Sequence, residues 1–142
     1  MTDKEIVHTL HAPPPVGAYP HARRAGELLF LSGIGPRPAA GGDIPGTETR
    51  ADGTVVTTDI EAQCHAVFAN VRAVLESAGA SMDDLLDVTV FLTDIDRDFA
   101  VYNRVYAEYF SAEDGPCRTT VEVTRLPTPI AIELKCIARL GS

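Results

Sequence analysis

The sequence lacks the features that mark disulfide-rich, membrane and nucleic-acid-binding proteins. No apolar stretch reaches membrane-spanning length, and the three cysteines (Cys64, Cys117 and Cys136) form no CxxC or Cys/His pattern. Neither a disulfide framework nor a zinc site is indicated, and a reducing cytoplasm fits best. Lys and Arg number 12 against 20 Asp and Glu, and the net charge of -8 repels phosphate backbones and anionic membranes. We therefore expect no nucleic-acid partner and no membrane partner.

The chain has enough apolar material for one compact domain. It has 142 residues, of which 45% are hydrophobic, so a single domain spanning residues 1–142 can build a core. Its four histidines show no metal-ligand spacing. We expect a soluble, cytoplasmic protein without a metal.

Hydrophobic periodicity predicts the order hairpin, helix, strand, helix, strand, strand. The predicted segments are a hairpin of residues 19–24 and 28–32 across Ala25-Gly26, a surface loop from Gly33 to Gly53, a helix from a Thr58/Glu61 capping box to Gly79, a strand over 86–92, a helix from Phe99 to Phe110, and strands over 119–123 and 130–140. This order packs most simply as one mixed sheet with both helices on one face. The other face would expose Phe91 and Ile137, so we expect subunits to associate through their sheets.

Arg118 and Glu133 form the candidate catalytic pair. Arg118 follows the turn Gly115-Pro116-Cys117, and a guanidinium there can hold a planar carboxylate through two parallel N–H bonds. Glu133, on the next predicted strand, can take a proton from water or return one to a leaving amine. Each has an ordinary alternative: Arg118 as a surface arginine or a partner of Glu122 or Glu133, and Glu133 as a neighbour of Lys135. Together they favour hydrolysis of a small acidic substrate.

Two other polar groups invite a nucleophilic interpretation that their surroundings do not support. Ser32 lacks the GxSxG context of a serine nucleophile, so a hydroxyl that makes hydrogen bonds is the better interpretation. Cys117 lies beside Arg118, which could stabilise a thiolate, but an inert thiol is the commoner case.

Short motifs spread over nearly the whole chain form a recognisable set. They are Gly17-Ala18-Tyr19, Leu31-Ser32-Gly33, Ser77-Ala78-Gly79, Val90-Phe91-Leu92-Thr93-Asp94, Asp98-Phe99 with Asn103 and Tyr106, Arg118, and Ile132-Glu133-Leu134. This set resembles the RidA (YjgF) reactive-intermediate deaminase family. Within that family, Tyr19-Pro20-His21 followed by Arg23-Arg24-Ala25-Gly26, and the loop with Asp52-Gly53-Thr54-Val55, resemble the 2-aminomuconate deaminases.

The resemblance implies a fold, an assembly and a reaction. The fold is α+β, a chorismate-mutase-like subunit with a mixed β-sheet and two helices on one face, assembled as a barrel-like homotrimer with active sites between neighbouring subunits. The reaction is cofactor-free hydrolysis of an enamine or imine of a small carboxylic acid, foremost 2-aminomuconate, to a keto acid and ammonia. By the same resemblance, Arg118 binds the substrate carboxylate, Glu133 positions or activates water, and Tyr19, Ser32 and Asn103 line the pocket.

Three further residues are expected near the substrate. Thr120 stands where the family often has a cysteine, two residues after the arginine, which puts any thiol role in doubt. Phe91 lies on the sheet face left open and can meet a pocket or a partner. A muconate carries a second carboxylate, which we expect Arg37, or as second choice Arg24, to bind.

Two alternative functions remain open. One is a general deaminase for imines derived from 2-aminoacrylate, which needs no second carboxylate site. The other is a non-catalytic trimeric ligand-binding or chaperone-like protein that uses the same arginine cleft. A ribonuclease, a role described for the family, is disfavoured by the acidic charge and the absence of a basic stripe.

Overall fold

The computed structural model describes residues 5–141, in which a six-stranded sheet and a two-stranded sheet accompany two α-helices. The elements are β1 (Glu5–Val7), β2 (Ala22–Ala25), β3 (Leu28–Leu31), β4 (Thr47–Thr49), β5 (Val55–Thr57), α1 (Ile60–Ser77), a 3-10 turn (Met82–Asp84), β6 (Leu85–Leu92), α2 (Ile95–Tyr109), β7 (Cys117–Glu122) and β8 (Ile132–Arg139). The larger sheet has the order β1-β2-β3-β8-β6-β7. Only β6 and β7 run parallel among its neighbouring strands, so the predicted mixed sheet is confirmed. Residues 1–4 and 142, which the predicted domain includes, lie outside the described residues.

Helix α1 forms because an apolar stripe follows a strong N-cap. The Asp59 carboxylate accepts a hydrogen bond from the Ala62 N–H at 3.0 Å. The predicted Thr58/Glu61 capping box is therefore wrong, since Thr58 lies outside the helix and its hydroxyl donates to the Gly46 carbonyl. The helix ends before Gly79, whose φ of +83° is favourable for glycine.

Helix α2 begins one turn earlier than the predicted Phe99. Asp94 caps it by accepting a hydrogen bond from the Arg97 N–H at 3.0 Å. The first turn is mostly polar, so the apolar periodicity of the sequence does not indicate that it is helical. Its Asp98 is nevertheless buried, because Arg97 binds its carboxylate through two hydrogen bonds of 2.7 Å.

Several short strands depart from the predicted boundaries. The hairpin turn occupies residues 26–27 rather than 25–26, and β7 begins at Cys117 rather than at residue 119. The segment from Gly33 to Gly53 is not a loop throughout, because its β4 pairs with β5, and β1 was not predicted. Strands of three residues contain too little alternation to be detected by periodicity.

The two faces of the larger sheet have different surroundings. Val88, Val90, Leu134 and Cys136 are buried beneath α1 and α2, so the prediction of two helices on one face is confirmed. The opposite face carries half-buried and exposed side chains, namely Phe30, Thr89, Phe91, Val121, Glu133, Lys135 and Ile137. Within residues 5–141, neither helix is long and apolar enough to cross a membrane.

Candidate functional site

The two predicted catalytic residues lie on opposite faces of the sheet in one subunit. On β7, Arg118 is in register with buried Val88 and therefore faces the helices. On β8, Glu133 is in register with Phe91, on the open face. The chain therefore presents two separate half-sites, which we call the glutamate half-site and the arginine half-site.

The glutamate half-site is a cleft with a volume of about 140 Å³. Its lining residues are Val16, Tyr19, Gly33, Gly35, Arg37, Pro127, Thr128, Ile130 and Glu133. Burial raises the pKa of the Glu133 carboxyl, and the positive charge of Arg37 opposes part of that rise. A raised pKa favours the protonated form of the carboxyl, which is the form that can act as a general acid.

Gly33 gives this carboxylate its room. A Cβ at position 33 would lie 2.6 Å from Glu133 Oε2 and 3.1 Å from the carboxyl carbon. Only glycine therefore allows the carboxylate to lie directly against the backbone of this segment.

The backbone beside Gly33 is fixed from two directions. Ile34 exchanges two hydrogen bonds with Leu134, of 2.9 and 2.8 Å, next to Glu133 in β8. From α1, the Asn70 amide donates to the carbonyls of Gly35 at 2.8 Å and Arg37 at 2.7 Å. The segment that carries Arg37 into the cleft is thus held by the sheet and by the helix.

The proline-rich segment that precedes β2 forms the facing wall. Arg37 Nη2 donates to the Pro14 carbonyl at 2.8 Å. His21 is buried; its Nδ1 accepts from the Thr9 N–H at 3.3 Å, so Nε2 carries the proton and donates to the Pro13 carbonyl at 2.8 Å. These contacts hold the segment across the cleft.

Tyr19 lines the cleft on the side of this wall, and Ser32 lines a neighbouring cavity. The Tyr19 hydroxyl accepts a hydrogen bond from the Val16 N–H at 3.2 Å, and its side chain lines the cleft. The Ser32 hydroxyl donates to the Pro20 carbonyl at 2.7 Å, and Ser32 lines a small adjoining cavity of about 30 Å³. Because its proton is engaged, Ser32 can offer a ligand its oxygen as an acceptor.

In the arginine half-site, the Arg118 guanidinium contacts an amide and two aromatic rings rather than a carboxylate. Arg118 Nη1 donates to Asn103 Oδ1 at 2.9 Å, and the guanidinium carbon lies 5.2 Å from the Tyr102 ring centre and 4.7 Å from the Tyr106 ring centre. Thr120 shares a hydrogen bond of 2.9 Å with the Tyr102 hydroxyl. Among residues 5–141, no acidic side chain forms an ion pair with Arg118.

The charged side chains considered as ordinary partners of the catalytic pair bind elsewhere. Glu122 accepts a hydrogen bond from the Ile95 N–H at 2.9 Å rather than from Arg118. Lys135 donates to the Leu31 carbonyl rather than to Glu133. Both predicted catalytic groups are therefore free to meet a ligand.

Most of these residues carry a signal in the sequence, whereas some of the residues that support them do not. Tyr19, Ser32, Arg37 and Glu133 lie together around the glutamate half-site, with Phe91 beside Glu133. Asn103 and Thr120 belong with Arg118, and the Thr120 hydroxyl contacts Tyr102.

The supporting roles of Gly33, Asn70, Tyr102 and Tyr106 were missed. The tyrosine spacing was visible in the sequence, but it is also the spacing of ordinary core residues.

Comparison with known proteins places the chain in a family. The sequence profile of the family described as Endoribonuclease L-PSP matches residues 9–140. The chain belongs to this family. It is the YjgF/RidA/RutC family, so the resemblance drawn from the motifs is confirmed.

Relatives in the family are similar over most of the chain. A RutC family protein of Pyrococcus horikoshii is 43% identical over 135 residues, covering 95% of this chain and 97% of the relative. Reactive Intermediate Deaminase A, chloroplastic, of Arabidopsis thaliana is 37% identical, covering 96% of this chain and 66% of that protein. These relatives do not distinguish a 2-aminomuconate deaminase from other members of the family.

Solved structures from the family have the same subunit fold. The crystal structure of Escherichia coli TdcF with bound serine has a TM-score of 0.81 at 33% identity, covering 97% of this chain and all of TdcF (100%). Yeast Mmf1 has a TM-score of 0.82 at 30% identity, covering 97% of this chain and 99% of that one. The predicted chorismate-mutase-like α+β fold is therefore confirmed.

Proposed function

We propose that the protein is a deaminase that hydrolyses an enamine or imine of a small carboxylic acid to a keto acid and ammonia, with 2-aminomuconate as its substrate. The observation that carries the proposal is the Glu133 carboxyl, which lies against Gly33 in a partly buried cleft and has a raised pKa. The name of the Arabidopsis relative, a reactive intermediate deaminase, supports the reaction class.

Glu133 can serve each proton transfer of this reaction in turn. The protonated carboxyl first donates to the enamine carbon, which converts the C=C–NH₂ group to an electrophilic iminium. The resulting carboxylate then takes a proton from water as the water oxygen bonds to the iminium carbon. Return of that proton to nitrogen makes ammonia a leaving group. As the C–N bond breaks, the carboxylate takes the remaining hydroxyl proton, which leaves the C=O of the keto acid and restores the protonated carboxyl. Such acid–base transfer contributes roughly 100-fold or more to a rate.

Arg118 supplies the carboxylate binding that this reaction needs. Its guanidinium has free N–H donors and no acidic partner among the described residues, so a substrate carboxylate can complete its coordination. Since Arg118 and Glu133 face opposite sides of the sheet, one subunit cannot place both on the same substrate. We propose that a neighbouring copy in a homotrimer brings its arginine half-site to the glutamate half-site.

Arg37 is the residue that would select a dicarboxylate. It lines the glutamate half-site and uses one nitrogen on Pro14, which leaves its other donors for a ligand. A substrate held by Arg118 at one carboxylate would present its second carboxylate to Arg37. A general deaminase of 2-aminoacrylate-derived imines would make no use of this group. The name of the Arabidopsis relative, a reactive intermediate deaminase, supports that general reaction and gives no support to 2-aminomuconate as the substrate.

Ammonia release by purified protein on enzymatically generated 2-aminomuconate, with 2-aminoacrylate in parallel, tests the proposal. We expect turnover that is lost in Arg118→Ala, and a raised KM for 2-aminomuconate alone in Arg37→Ala. Faster turnover of 2-aminoacrylate, or an unchanged KM in Arg37→Ala, would indicate the general deaminase. Binding of both compounds without ammonia release would indicate the ligand-binding alternative.

A further inference from the structure

Arg118 is held by aromatic rings rather than by opposite charge. An arginine side chain without a fixed partner loses rotamer entropy when it binds a ligand. In this structure Tyr102 and Tyr106 lie against the guanidinium, with ring centres 6.0 Å apart and planes inclined by 62°. Because the guanidinium contacts two rings that are inclined to each other, few orientations of its plane are possible.

We infer that Tyr106, supported by Tyr102, is a positioning residue that orients Arg118 for a substrate carboxylate. The inference rests on the proposed function, in which Arg118 binds that carboxylate. A cation over an aromatic face within about 6 Å is attracted by the ring's electron-rich surface, and both distances fall inside this limit. The attraction leaves the guanidinium's positive charge uncompensated, and it leaves open the N–H groups that do not bind Asn103, which an acidic partner would not.

The state of the Tyr106 hydroxyl shows whether Tyr106 acts on Arg118 through its ring or through a hydrogen bond. That hydroxyl is buried and has no hydrogen-bond partner among the described residues. The Tyr102 hydroxyl, in contrast, is bound to Thr120. The contribution of Tyr106 to Arg118 therefore comes from the ring face alone, and Tyr106→Phe should preserve it.

The surroundings keep both rings neutral. Burial raises the pKa of Tyr106 to about 12 and also raises the pKa of Tyr102, in each case against the opposing effect of the Arg118 charge. Both phenols therefore remain protonated at neutral pH, so neither becomes a phenolate that would neutralise Arg118.

The test replaces Tyr106 by phenylalanine and by phenylalanines with one and three ring fluorines, introduced as unnatural amino acids. Fluorination withdraws electron density from the ring face while changing the side-chain shape little. Affinity for pyruvate, used as a small carboxylate probe, is measured by calorimetry on the full chain. We expect Tyr106→Phe to match the wild type and the affinity to fall stepwise to about one tenth with three fluorines, equivalent to about 1.4 kcal/mol.

Steady-state kinetics give a second reading on the same variants. KM should rise along the fluorine series while kcat changes less, and Tyr106→Leu should resemble the trifluorinated variant. An affinity and a KM that do not change with fluorination would overturn the inference, even if Tyr106→Leu fails to fold.

Arg118→Ala distinguishes this failure from failure of the proposed function. If Arg118→Ala weakens pyruvate binding and the fluorine series is flat, only the positioning role is wrong. If the wild type does not bind pyruvate, or Arg118→Ala binds it equally well, Arg118 is not the carboxylate site and both proposals are wrong.

Discussion

At the scale of single residues, Glu133 links the proposed chemistry to stability. Its raised pKa means that the folded state holds the proton more tightly than the unfolded chain. Ionisation of Glu133 therefore lowers the free energy of unfolding. This loss is absent below the ordinary pKa of 4.5 and develops as pH rises from that value through the folded-state pKa.

Glu133→Gln should consequently be more stable than the wild type at neutral pH, because glutamine has no charge to bury. The gain should disappear as pH falls below about 4.5. Urea denaturation of both proteins across this pH range measures the difference. A difference that does not depend on pH would show that the carboxyl is not penalised by burial. The same variant should lose turnover while retaining pyruvate binding.

Gly33→Ala should displace the Glu133 carboxylate without unfolding the protein. The new Cβ would meet the end of a flexible side chain rather than backbone, so the carboxylate can move aside. A misplacement of about 1 Å in a reacting group can cost about 100-fold in rate, and we expect a loss of that order in kcat. Repeating the substitution in a Glu133→Ala background is the control. If Gly33→Ala causes an equal loss there, its effect does not act through Glu133.

At the scale of secondary-structure elements, α1 supports the cleft from behind through Asn70. Asn70→Ala removes two hydrogen bonds to the carbonyls of Gly35 and Arg37. We expect a loss of about 1 kcal/mol in the free energy of unfolding, at the lower end of the range for unpaired buried groups because both carbonyls are only partly buried. Because Arg37 loses its support, KM for 2-aminomuconate should also rise. Glu76→Ala, at an exposed position of the same helix, is the control and should change neither quantity.

The elements also show how far the sequence could be interpreted. Long segments with a clear apolar period, such as α1, β6 and β8, were predicted because burial of one face leaves a regular pattern. The start of α2 was missed because its buried Asp98 is satisfied by Arg97, a pairing that has no hydrophobic signature. The alternation of β8 places Glu133 opposite the apolar residues of that strand. Strand β7 has no such alternation, so the face of Arg118 follows only from its register with Val88.

At the scale of the whole molecule, the separation of the two half-sites predicts how trimers that contain two different variants will behave. If each active site combines Arg118 of one subunit with Glu133 of another, Arg118→Ala and Glu133→Gln should complement each other. Random mixing at equal amounts would leave about one quarter of the sites with both native residues. Co-refolding the two inactive variants and measuring ammonia release gives the result, with light scattering to establish the trimer. Recovery should be absent if both residues of each site come from one chain, or if the protein is a monomer.

The positions that line the glutamate half-site differ in the substitutions that they can accept. Val16 and Thr128 contribute side chains from connecting segments, whereas position 33 has no space for any side chain beside Glu133. Libraries that seek a new substrate range should therefore randomise positions 16 and 128 and hold position 33 constant. Variation at the first two positions would reshape the volume available to a ligand, while the proton-transferring carboxyl would keep its place.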